Sequence, residues 1–111
     1  MAFDSLIANP GRLQILTALA ATERQEFVGL RAATRLTDGN LSAHARKLAG
    51  GGLVGIEKHF RDGKPVTTFV LTAEGRRRLT AHAEAVLAAV NGASVAVAVV
   101  EVAGEDEDWV D

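Results

Sequence analysis

The chain contains no cysteine. Disulfides, thiolate metal sites and thiol redox sensing are therefore excluded. Aromatic residues are scarce, at 5% of the 111 residues, so a core must come mainly from Leu, Val and Ala. Such a core is small-grained, and a second subunit is expected to complete it. No apolar run approaches the roughly 20 residues that span a bilayer. The first residues lack the charged-then-apolar layout of a signal peptide. No Gly-rich phosphate loop occurs, no cysteine nucleophile, and no Ser/His/acid set with supporting context, so no enzyme is expected. His44, His59 and His82 do not have the spacing of a metal site, and no carboxylate cluster stands beside them. No metal or cofactor is expected, no membrane contact either, and a cytoplasmic location is the default.

What is present points to one folded domain. Hydrophobic residues make up 48%, which is enough to exclude global disorder. The formal net charge is -2, but it is unevenly spread. All 12 Lys and Arg lie within residues 1–78, and six of the 14 acids lie in residues 101–111. Residues 1–100 therefore carry +4 and the last eleven carry -6. A mildly basic body with an acidic end is compatible with nucleic acid, because the local field matters more than the sum.

Asn9-Pro10 predicts a helix start, with Asn as cap and Pro at the first position. Leu13, Leu16, Leu19 and Ala20 follow at helical spacing, with Ile15 beside them. Gln25-Glu26-Phe27 reads as a short extended piece. Residues 28–35 read as a second helix, burying Val28, Leu36 and either Leu30 or Ala33. Thr37 or Asp38 caps a third helix with an inward stripe of Leu41, Ala45 and Leu48. Gly50 or Gly51 is expected to supply its left-handed C-cap. Residues 53–60 form a strand with Val54, Ile56 and Phe60 on one side. Asp62-Gly63 is a strong hairpin cue, and residues 65–71 return as a β-branched strand. Thr72 caps a fourth helix with the stripe Leu79, His82 or Ala83, Val86, Leu87 and Val90, expected to end at Asn91-Gly92. In residues 93–103 the alternation of Val95, Val97 and Val99 favours a strand, though the Ala content leaves a helix open. The acidic end from Glu105 is expected to be disordered or to lie against a basic face. The order helix, helix, helix, strand, strand, helix predicts an α+β, mainly α, winged helix-turn-helix. The expected division is a domain over residues 1–92 and an extension over 93–111.

Three segments carry a family resemblance. These are Asn9-Pro10-Gly11-Arg12-Leu13-Gln14-Ile15-Leu16, Leu36-Thr37-Asp38-Gly39-Asn40-Leu41-Ser42-Ala43-His44 and Pro65-Val66-Thr67-Thr68-Phe69-Val70-Leu71-Thr72-Ala73-Glu74-Gly75-Arg76. In this order, over residues 8–90, they resemble the small single-domain winged-helix transcriptional regulators related to the MarR and ArsR families. The chain departs from that pattern at Asn9, at Ala45 and at Gly50-Gly51-Gly52. The resemblance implies a homodimer on a pseudo-palindromic site in double-stranded DNA. The third helix, about residues 38–50, would enter the major groove. The wing, residues 58–67, would meet flanking DNA, and the last helix would dimerise.

The polar face of the third helix holds Gly39, Asn40, Ser42 and Ala43, whose short side chains let a backbone approach base edges. Asn40 suits adenine and Ala43 a thymine methyl, while His44, Arg46 and Lys47 would hold phosphates. On the wing, His59, Arg61, Lys64 and Thr67 could grip phosphate or the minor groove. Arg76-Arg77-Arg78 sits near a helix start, where the dipole disfavours cations. A compensated, solvated face is the expected outcome there. Two other readings remain open: a winged-helix protein-interaction module with no specific DNA binding, and a regulator with an unidentified small-molecule effector.

Overall fold

A computed structural model describes the backbone of residues 4–103 and the side chains of residues 4–92. The elements are α1 (Ser5–Ala8), α2 (Pro10–Thr22), β1 (Arg24–Glu26), α3 (Phe27–Thr34), α4 (Asp38–Gly50), β2 (Val54–Arg61), β3 (Lys64–Leu71) and α5 (Ala73–Ala103). The sheet is antiparallel with order β1-β3-β2, so β3 is its centre. This is a winged helix-turn-helix with a third, short strand closing the hairpin.

Local chemistry explains most boundaries. Asn9 Oδ1 accepts from the amides of Gly11 and Arg12 at 2.9 and 3.1 Å, and Pro10 fills the first helical position of α2. Thr37 Oγ1 accepts from the Asn40 amide at 3.1 Å and starts α4. Thr72 Oγ1 accepts from the Gly75 amide at 2.9 Å and donates to the Gly52 carbonyl at 2.7 Å, so one hydroxyl caps α5 and ties it to the α4–β2 loop. In the hairpin, Asp62 and Gly63 both take positive φ, 52° and 76°. Two left-handed central residues match the twist of the flanking strands.

The core lies between α2, α3, α4 and one sheet face. Ile7, Ile15, Leu16, Leu19, Leu30, Leu41, Leu48 and Leu53 are fully buried, with Ala45, Val54, Phe69 and Leu71 beside them. Phe27 and Phe69 meet at a centroid distance of 6.1 Å. Gly75 has a packing reason to lack a side chain. A Cβ there would stand 2.0 Å from the Leu53 carbonyl oxygen, so α5 can approach β2 only through glycine.

Several expectations are corrected. The left-handed residue after α4 is Gly52 (φ 80°), not Gly50 or Gly51, because the helix runs to Gly50 and Gly51 remains at φ -90°. Val28 is 65% exposed; of the two alternatives Leu30 and Ala33 it is Leu30 that α3 buries, Thr34 is buried as well, and Leu36 is half-buried. Asn91-Gly92 does not end α5, and residues 93–103 continue the helix rather than forming a strand. Once a helix is nucleated, each further residue adds a hydrogen bond, so two poor formers inside an Ala-rich run do not stop it. The helix thus crosses the expected 92/93 division. The short α1 was not foreseen. The acidic end from Glu105 lies outside the described residues.

Candidate nucleic-acid interface

Helices α3 and α4 are joined by Arg35, Leu36 and Thr37. Arg35 makes the corner in the left-handed region, at φ 61°. Helix α4 seats itself on Leu41, Ala45 and Leu48, all buried. That seating forces the opposite face outward. Gly39, Asn40, Ala43, Arg46 and Lys47 are exposed, and Ser42 is half-buried on the flank toward the sheet. The exposed set at the helix start is small, so neighbouring molecules can come close to its backbone. Asp38, in the first turn, bonds Arg31 of α3 at 2.7 Å. That pair keeps part of the acid's charge away from the face.

His44 behaves differently from its neighbours. It is half-buried, and its ring fills the space over Gly11, where a Cβ would come within 2.8 Å of it. Its Nδ1 lies 3.4 Å from an Arg12 guanidinium nitrogen. Arg12 in turn donates from Nε to the Leu6 carbonyl at 2.6 Å. His44 thus braces α4 against the start of α2.

The pleat divides the wing residues between two faces. Ile56, Lys58 and Phe60 share a side with their partners Phe69, Thr67 and Pro65. That side faces α4: a groove of about 540 Å³ is lined by Phe27, Ser42, Arg46, Lys58, Thr67 and Phe69, among others. Glu57, His59 and Arg61 point to the other side, where Glu26, Thr68 and His59 line a separate hollow. The structure therefore brings Ser42, Arg46 and Thr67 together, and adds Lys58. It does not bring His59 or Arg61 to them. Lys64 is exposed beside the turn.

Arg61 is also occupied. Both its terminal nitrogens donate to the Glu26 carboxylate, one of them at 3.1 Å. The guanidinium holds the Glu26 carboxyl below its ordinary value, chiefly through these hydrogen bonds. Glu26 raises the guanidinium in return, again through hydrogen bonding. A second pair, Arg24 with Glu57, crosses the same sheet face.

Lys58 was not singled out in sequence, although alternation from Val54 and Ile56 places it on the face toward α4. Arg35, exposed at the corner of the helix-turn-helix, had no readable signal. The arginine run near the start of α5 is compensated as expected. Arg77 pairs with Glu74, Arg78 with Asp4 at 2.8 Å, and Arg76 lies 3.8 Å from Glu23 while donating to the Ala20 carbonyl at 3.3 Å. Among the described residues, no three His, Asp or Glu side chains gather as a metal site. No helix among them is long and apolar enough to cross a membrane.

A capped helix with a small-residue outer face, set beside a β-hairpin with a basic flank, defines a winged-helix DNA-binding domain. The chain belongs to the winged helix DNA-binding domain family, whose model matches residues 12–90. It is 38% identical over 74 residues to an uncharacterized protein of Methanocaldococcus jannaschii, MJ0432, covering 67% of this chain and 76% of that one. It is similar to the structure of a transcriptional regulator homologue from Pyrococcus horikoshii OT3, with TM-score 0.76 and 29% identity over 80% of this chain and 88% of the other. It shares its fold with a MarR family transcriptional regulator from Silicibacter pomeroyi, with TM-score 0.61 and 20% identity over 74% of this chain and 53% of that one.

Proposed function

We propose that the protein is a sequence-specific transcriptional regulator that binds double-stranded DNA as a homodimer. The observation that carries this reading is the outward face of α4, where Gly39, Asn40 and Ala43 stand exposed above a fully buried stripe. In the major groove, Asn40 suits adenine and Ala43 a thymine methyl, while Arg46 and Lys47 hold the flanking phosphates. Ser42, Thr67 and Lys58 continue the surface toward the wing. The Pyrococcus relative, described as a transcriptional regulator homologue, supports the assignment.

The apolar surface between α2 and α5 supports the dimer. Leu13, Ala20, Leu79, Val86, Leu87 and Val90 line one hollow there, and Leu87 is 58% exposed. An apolar patch of that kind on a small domain marks a contact surface. A two-fold pair would present two α4 helices to successive major grooves, about 34 Å apart.

Selection of bound sequences from random duplex DNA, with sizing of the free protein, tests both parts. A two-fold symmetric motif and a dimer are expected. Recovery of unselected sequence at low salt would overturn the assignment.

A further inference from the structure

Among the described residues, Phe60 is the most exposed large apolar side chain, at 75%. It stands at the last pleat before the hairpin turn, opposite Pro65. Its side of the sheet is the one that carries Ile56 and Lys58 toward α4. The core ends at Ile56, and among the described residues nothing packs on an aromatic ring two pleats further out. The other large exposed apolar residues have different surroundings: Val86, Leu87 and Val90 lie on α5, and Val28 lies on α3.

The cations around Phe60 are unequal. Arg61, next to it, is tied to Glu26 on the opposite face. Lys58, on the same face as Phe60, is exposed, whereas Lys64 pairs with Arg61 and lies on the opposite face. The wing thus offers an apolar ring beside one lysine, on the sheet face that meets α4, and holds back its guanidinium. That combination fits a strand of DNA, whose deoxyribose faces are apolar and whose phosphates are anionic. We infer that Phe60 packs on the deoxyribose rim of the minor groove flanking the α4 contact, with Lys58 on the adjoining phosphate. This inference rests on the DNA-binding reading above and assigns the wing's contact to an apolar residue.

Salt separates the two kinds of contact. Phosphate contacts release counterions and set the slope of affinity against salt, whereas apolar burial leaves the slope unchanged. The test is fluorescence anisotropy of the full chain on its selected duplex across a salt series, with hydroxyl-radical footprinting of the sugars. Phe60→Ala is expected to lose about tenfold in affinity at every salt concentration, from the apolar area it no longer buries. It should also lose protection of flanking sugars, while its melting temperature stays at the parent's. Phe60→Leu should keep most of the affinity. Lys58→Ala should flatten the slope by about one. Parent-like affinity and footprint for Phe60→Ala, on a duplex the parent binds, would overturn this inference alone. A parent that selects no duplex would overturn the DNA reading and this inference with it.

Discussion

Asp4 shows how much one side chain can carry in a domain of this size. Its Oδ1 accepts from the Leu6 amide at 3.1 Å and caps α1, while Oδ2 takes the Arg78 guanidinium of α5 at 2.9 Å from Nε. Burial pushes the carboxyl up, but the Arg78 hydrogen bond and charge, with the Leu6 and Ile7 amides, outweigh it and hold the group below its ordinary value of 3.8. The folded state therefore binds fewer protons here than the unfolded chain. The resulting stability is present above the ordinary value and is lost as pH falls through the lowered one. Asp4→Ala is expected to cost about 1–2 kcal/mol at neutral pH, from the lost cap together with the part-buried Arg78 pair. Urea midpoints of parent and variant should draw closer as pH is lowered from 7 toward 3. Gly75 is the second such residue. With only 2.0 Å to the Leu53 oxygen, Gly75→Ala must move α5 or β2. A loss of about 2 kcal/mol is expected, read as a fall in melting temperature.

At the scale of elements, the proposed function assigns different DNA contacts to α4 and to the wing. Arg46 and Lys47 are exposed and free to meet phosphate on any sequence, whereas Asn40 stands at the helix start facing outward. The Arg46→Ala, Lys47→Ala double variant should weaken binding to all duplexes and flatten the salt slope by about two. Asn40→Ala should change the selected motif more than the affinity. The wing's β1 contact adds a restraint of its own. Glu26→Gln keeps an acceptor for Arg61 but removes the charge that pairs with it, so the wing's positive field should rise and the salt slope of DNA binding steepen. Because Arg61 lowers the Glu26 carboxyl, acidification should mimic that variant only below the usual carboxylate range.

For the whole molecule, assembly is the open quantity. The described residues extend over 66 × 27 × 21 Å, with the 31-residue α5 as the long element. Its Val86, Leu87 and Val90 stay uncovered within one chain. Leu87→Asp places a charge in that surface. It should yield a monomer by sizing, with affinity for a two-fold duplex falling toward that for a half-site. A dimeric parent whose Leu87→Asp variant sizes unchanged would rule this surface out as the proposed dimer contact.

Sequence alone determined what depends on neighbours in the chain. The caps at Asn9, Thr37 and Thr72 act within three residues, the Asp62-Gly63 turn within two, and the stripe Leu41, Ala45, Leu48 within one helix. Tertiary structure decided what depends on distant partners. Strand β1 exists because Arg24–Glu26 pairs with Thr68–Val70, Arg61 is withdrawn by a residue 35 positions away, and His44 is turned inward by Gly11 and Arg12. The physical reason is that hydrogen-bond and packing partners far apart in sequence become neighbours only after the core has closed, and local pattern carries no record of that closure.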